Sequence, residues 1–299
     1  MAVKFPFQLN TFHRGAGVVP MSPGISMRGT NGAAVILIHG LTGTPNEMSF
    51  LANRLNRSGF SVVCPRLANH DRSLNVLKDT PWQDFYATVR QAYFKVREHS
   101  DIIFVSGLSM GALLALLLAD EFPEAIAGVS CLSPTLFYDG WNTPWYRCFL
   151  PFLYWTGLHR VMYFQESPPY GIKNEAIRKM VHEHFSKGNE DNCSDIDRYG
   201  YPLFPVSSLR QIDLLVRHLK ERLPNIHVPL QIVQAREDDM TSVKNARYIH
   251  DRVSSRDKEI VLLDDSYHII TADNQRNKVL ESMQGFFMRH FHDLRTVHA

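Results

Sequence analysis

The chain has 299 residues, 44% of them apolar and 21% charged, with a formal net charge of +2. That balance is globular, and large enough for one α/β domain with an insertion or for two small domains. The near-neutral charge gives no reason to expect nucleic acid or an acidic membrane surface as a partner. Cys64, Cys131, Cys148 and Cys193 are scattered and form no CxxC pair, which predicts reduced thiols rather than a disulfide framework. The N-terminus lacks the charged-then-apolar pattern of a secretory signal, and the longest uncharged apolar runs, Ala112–Ala119 and Cys148–Leu158, are too short to span a bilayer. A cytoplasmic protein without stable membrane insertion is expected.

From residue 33 the chain alternates short apolar runs with helical patterns. Residues Ala33–Ile38 (AAVILI) read as a buried strand, Asn46–Arg57 as a helix stopped by Gly59, and Ser61–Cys64 as the next strand. A polar loop over Asn69–Asp79 follows, then a helix opening on Thr80-Pro81, a threonine cap before proline. Asp101–Ser106 is a strand, Met110–Asp120 a helix and Ala125–Leu132 a strand. The rhythm returns late, with strands at Pro229–Ala235 and Glu259–Leu263 and helices at Val243–Val253 and Thr271–His290. Continuous apolar strands separated by helices indicate a mostly parallel sheet with helices on both faces. Residues 1–32 are expected to add one or two antiparallel edge strands.

Between Thr135 and Asn225 the rhythm breaks, in a segment rich in aromatic residues and proline. It is too long for a simple loop and reads as an inserted, mainly helical cap over residues 135–225, with the core formed by 1–134 and 226–299. The aromatic run from Trp141 to Trp155 admits three readings: lining an acyl pocket, facing a lipid aggregate, or burying the insert's own core. Trp141, Trp145 and Phe152 are the substrate-binding candidates.

The chemistry concentrates at four places. Gly107-Leu108-Ser109-Met110-Gly111 lies between a strand and a helix, the context of a nucleophile elbow that lifts Ser109 to the top of the sheet. His39-Gly40-Leu41-Thr42-Gly43 follows the AAVILI strand, so the N–H groups of Leu41 and Met110 can form a two-donor oxyanion hole. His39 is expected to hold that loop, and the P-loop spacing is missing. His268, just past a strand, is placed to act as the base. The acid must reach the other imidazole nitrogen from a separate strand end, which favours Glu237, Asp238 or Asp239 over Asp264 and Asp265. A metal reading of His182-Glu183-His184 with Asp191 and His218 lacks the HExxH spacing, and these residues are taken as a solvated helix face.

GLSMG, HGLTG, QAREDDM and DSYHIIT, each after a strand, resemble the bacterial carboxylesterase and monoacylglycerol lipase branch of the α/β-hydrolases. The resemblance covers about residues 33–135 and 225–292. It implies Asp238 as the acid, His268 as the base, Ser109 as the nucleophile and the amides of Leu41 and Met110 as oxyanion donors. The chain departs from the family in Ala112, where a second glycine is common, and in Asn69-His70-Asp71, where Gly-His-Gly is common. The implied activity is hydrolysis of small-molecule esters, short- to medium-chain or monoacylglycerols, through an acyl-enzyme, with no cofactor and no metal. A thioesterase, peptidase or C–C bond hydrolase would use the same triad, and an inactive ligand-binding protein is the reading from another class.

Overall fold

The computed structural model describes residues 24–186 and 200–297. Seven strands form one sheet in the order β1-β3-β2-β4-β5-β8-β9, namely β1 (Ile25–Met27), β2 (Ala33–Ile38), β3 (Ser61–Cys64), β4 (Ile102–Leu108), β5 (Ile126–Leu132), β8 (Leu230–Ala235) and β9 (Lys258–Leu263). All neighbours are parallel except β1, which pairs antiparallel with β3 at the edge. That is one edge strand of the kind expected before residue 33; residues 1–23 lie outside the described part. A separate antiparallel pair, β6 (Tyr163–Gln165) and β7 (Leu203–Pro205), lies within residues 135–225, which are therefore not helical throughout.

Strand periodicity sorts the core into two layers. In β2, Ala34, Ile36 and Ile38 face one layer while Ala33, Val35 and Leu37 face the other. The first layer is closed by α3 (Trp82–Arg97), α4 (Met110–Glu121), α7 (Val206–Arg222) and α8 (Lys244–Arg252). The second is closed by α1 (Ser49–Arg57) and α9 (Arg276–Val297). Helix α4 is buried along Met110–Ala119, which explains a sequence with no polar stripe: sheet, α3 and α7 surround it. Each leucine buried there contributes about 1.5–3 kcal/mol relative to exposure.

Several boundaries differ from the sequence expectation. The helix expected from Asn46 is a 3-10 turn, Pro45–Met48, continued by α1. The polar loop contains a single helical turn, α2 (Leu74–Leu77). Thr80 does not cap α3: its hydroxyl donates to the Val76 carbonyl and accepts from Asn69 Nδ2, because the turn at α2 lies closer than the N–H groups of α3. The last helix starts at Arg276, since the amides of Arg276 and Asn274 are held by Asp273. Within the insertion, α5 (Leu150–Thr156) and α6 (Glu175–Phe185) precede α7, which packs against α4 as a core helix. Among the described residues no helix is long and apolar enough to cross a membrane.

Candidate active site

Parallel order brings the carboxyl ends of β2, β4, β5, β8 and β9 side by side, so the loops after them meet at one rim. Ser109 stands at the turn from β4 to α4 with φ 58° and ψ −117°, a conformation a serine adopts only when its surroundings enforce it. They do so by close packing. A Cβ at Gly107 would lie 2.1 Å from the Gly111 carbonyl oxygen, and one at Gly111 would lie 2.2 Å from the Ile38 carbonyl oxygen. Gly107 is therefore required by contact across the elbow with the first turn of α4, and Gly111 by contact with the end of β2.

Ser109 Oγ lies 3.0 Å from His268 Nε2, and His268 Nδ1 lies 2.9 Å from Asp238 Oδ2. His268 and Asp238 are buried, 2% and 3% exposed. Asp238 is held by four further donors. Its Oδ1 accepts from the amides of Met240 and Thr241, and its Oδ2 from Gln234 Nε2 and the Thr241 hydroxyl. Of the other acids, Asp239 accepts from the amides of His268 and Gly171. Glu237 pairs with Lys173 at the surface, Asp264 with Arg236, and Asp265 with Lys173. The geometry thus separates three adjacent carboxylates that the local pattern left equivalent.

Burial alone would lower the pKa of His268; Asp238, Asp239 and Glu47 together outweigh it and hold the imidazole above its ordinary value. Thr135, which the motifs did not point to, places its hydroxyl 2.9 Å from Ser109 Oγ. The signal for it was topological: β5 is the neighbour of β4, so the residues after Leu132 end beside the elbow.

The loop after β2 carries Gly40 to Gly43 along the wall of a cavity of about 320 Å3 that also contains Ser109 and His268. His39 behaves as expected for a structural residue: Nε2 accepts from the Leu67 amide while Nδ1 meets the Gly40 carbonyl. Burial, with His70 beside it, keeps its pKa well below the usual histidine range. His70 Nε2 binds the Leu41 carbonyl, fixing the peptide that follows. Asn69 takes φ 60° where the family often has glycine, a left-handed conformation asparagine tolerates. Met110 N–H is the first of α4 and has no intrahelical acceptor.

Two acids in the cavity wall were missed by sequence reasoning. Glu47, on the 3-10 turn, accepts from the Gly40 amide at 3.2 Å, and burial pushes its pKa to about 7. Glu166, just past β6, reaches about 8 through burial and the nearby charges of Glu47 and Asp239. The cavity is also lined by the apolar side chains of Ile172, Ile177, Val181, Phe185 and Ile269. Trp141, Trp145 and Phe152 are not part of it. They are 60%, 79% and 55% exposed, and Trp141 donates instead to the Glu237 carbonyl outside the cavity. The insertion turns its other face inward, so the expected lining is replaced by residues of α6. His182, on α6, bonds the Tyr170 hydroxyl.

A mostly parallel sheet with a strained serine at a strand–helix turn, hydrogen-bonded to a histidine and on to an aspartate, defines an α/β-hydrolase. Residues 29–275 match the family model described as serine aminopeptidase, S33, and the chain belongs to that family. It is 29% identical over 256 residues to a thermostable monoacylglycerol lipase of Bacillus sp. (strain H-257), covering 86% of this chain and 90% of that protein. It is 24% identical over 254 residues to a carboxylesterase of Bacillus subtilis (strain 168), covering 85% and 91%. A solved structure reported for the metagenome-derived lipolytic enzymes LipS and LipT superposes with a TM-score of 0.72 at 25% identity, covering 92% of this chain and all of that one. A soluble variant of monoglyceride lipase from Saccharomyces cerevisiae shares the fold, with a TM-score of 0.71 at 15% identity over 96% and 99% of the two chains.

Proposed function

We propose that the chain hydrolyses carboxylic esters of short- to medium-chain acids, monoacylglycerols among them, through an acyl-enzyme on Ser109. The observation that carries this is the Ser109–His268–Asp238 hydrogen-bond chain opening on a cavity lined by apolar side chains together with Glu47 and Glu166. His268 takes the proton of Ser109 as Oγ attacks the ester carbonyl, and the amides of Leu41 and Met110 receive the oxyanion. The imidazolium passes that proton to the departing alkoxide. Water then gives a proton to His268, its hydroxide attacks the acyl carbon, and Ser109 recovers the proton as the acid leaves.

The apolar side chains of α6 and Ile269 take the acyl chain, and a cavity of about 320 Å3 lies at the small end for ligand sites, which favours the shorter chains. Glu166, mostly protonated near neutral pH, can donate one hydrogen bond and accept another, which suits the hydroxyls of a glycerol leaving group. Residues 135–225 act as the cap, with α7 as its return into the core. The free, buried thiols of Cys64 and Cys131 support a cytoplasmic location.

The test is turnover of p-nitrophenyl esters graded from acetate to palmitate, alongside thioesters and aminoacyl anilides. A maximum at short or medium chains is expected. Activity rising steadily to palmitate would overturn the acyl-pocket assignment, and turnover confined to thioesters or anilides would overturn the ester reading.

Glu47 gives a second prediction. Its folded pKa is raised, so the unfolded chain releases its proton first and stability falls as pH climbs from about 4.5 to about 7. Glu47→Gln keeps an acceptor for the Gly40 amide and removes that loss. Denaturant unfolding at pH 8 should show a gain of about 1–2 kcal/mol, discounted from the ~3 of the full shift because Glu47 lines the cavity and is only partly buried. The gain should vanish at pH 4. In kcat/KM the acid limb should move to lower pH, because Glu47 helps hold the His268 pKa up. An unmoved limb and an unchanged unfolding curve would refute it.

A further inference from the structure

One exposed apolar surface plays no part in the site described above: the outer face of residues 141–161. Trp145, Phe149, Phe152, Trp155, Leu158 and Val161 are between 47% and 83% exposed. They are arranged rather than scattered. In α5 and the turn before it, Phe149, Phe152 and Trp155 recur at three-residue spacing on one side, and no residue of α5 is buried. The opposite side is anchored: Tyr154 packs on His159, and Arg210 of α7 binds His159 Nε2 and lies over the Tyr154 ring. The segment is therefore held in place with its apolar side turned out, the reverse of a surface helix on a globular core.

Charge and composition select the occupant. From Gly140 to Gln165 the sequence holds no Asp or Glu; its charged residues are Arg147 and Arg160, both exposed. Asp213, which feels the charge of Arg147, is partly buried and also faces Arg217 and Lys220. Three of the chain's four tryptophans lie in the stretch. Exposed Trp and Phe flanked by arginine is the composition of a segment lying in a membrane interface, where rings enter the headgroup–acyl boundary and cations meet anionic lipid. The chain's net charge of +2 averages this distribution away. The face also adjoins the cavity: Tyr146 contacts Phe164 of β6, whose partner across the strand pair, Phe204, lines it.

We propose that the face formed by residues 141–161 docks reversibly on the surface of an anionic phospholipid bilayer, placing the cavity rim beside the membrane. The docking does not depend on the ester reading, and Ser109→Ala protein tests it without turnover. In flotation, that protein should rise with vesicles of phosphatidylcholine mixed with phosphatidylglycerol, bind pure phosphatidylcholine less, and release as salt is raised. Phe149→Ala/Trp155→Ala should weaken partitioning by at least about tenfold, the factor set by about 1.4 kcal/mol of lost burial. Arg147→Glu/Arg160→Glu should remove the preference for the anionic vesicles. In the Ser109 background both variants should keep the wild-type melting temperature and turnover of a soluble short ester.

Should a variant misfold, tryptophan quenching by brominated lipid in the unmodified protein gives the same answer. Absence of flotation and of quenching on both vesicles would overturn the proposal. So would an aromatic variant that is folded yet floats like the wild type. A lipid-free dimer dissociated by the aromatic variant, without vesicle binding, would overturn it in favour of a second copy of this chain.

Discussion

Ser109→Ala should lower kcat for the best ester by about a millionfold, leaving only what oxyanion donors and binding supply. The fold should persist, because among the described residues Ser109 Oγ bonds only His268 and Thr135. Ser109→Gly separates chemistry from strain. The positive φ of 58° is costly for any residue with a Cβ, by about 1–3 kcal/mol, and alanine inherits that cost. Glycine relieves it while losing about 0.5–1 kcal/mol to its freer unfolded chain. The glycine variant should therefore be inactive and more stable than the alanine variant by about 1 kcal/mol, a rise of about 2–4 °C in melting temperature. Equal melting temperatures would show that the elbow is not strained. Wild-type turnover in either variant would remove Ser109 from the reaction.

The legible part of this protein was written in local pattern. Strand runs such as AAVILI are apolar on both sides because both faces of the sheet are covered, so β2 and β3 match their expected limits. The elbow was legible because its glycines answer to backbone contacts a few ångströms away. The rest depended on three-dimensional proximity. Thr135 meets Ser109 only because β5 neighbours β4, and Glu47 is an ordinary surface-like acid in sequence until the loop after β2 folds over it. The aromatic run was ambiguous for a different reason. Burial of a ring in a pocket and exposure of a ring to an interface require the same residue types, and periodicity cannot say which side of a short helix faces the body of the protein. Asn69-His70-Asp71 stands where Gly-His-Gly is common, and Asn69 holds the left-handed turn that glycine would supply.

Asp238→Asn should lower kcat by about ten-thousandfold while leaving KM little changed, at a cost of about 1–3 kcal/mol in stability because Gln234 Nε2 and the Thr241 hydroxyl lose the acceptor that Oδ2 gives them. The amide must choose an orientation, and the surroundings decide it. Oδ1 accepts two backbone N–H groups, from Met240 and Thr241, so the side-chain carbonyl must occupy that site. The new NH2 then takes the place of Oδ2 and donates to His268 Nδ1. A neutral imidazole with an acceptor at Nδ1 carries its hydrogen on Nε2, where it points at Ser109 Oγ and can no longer receive a proton. Two neighbours serve as controls. Asp239→Asn keeps an acceptor for the His268 amide and removes one charge, so it should move the acid limb to lower pH and cost about tenfold at most. Glu237→Gln, at the surface beside Lys173, should do nothing measurable to turnover. Steady-state kinetics across pH on the three variants checks the assignment: a larger loss at Asp239 than at Asp238 would transfer the role of orienting acid to Asp239, and equal small losses would mean that the imidazole is held without a carboxylate.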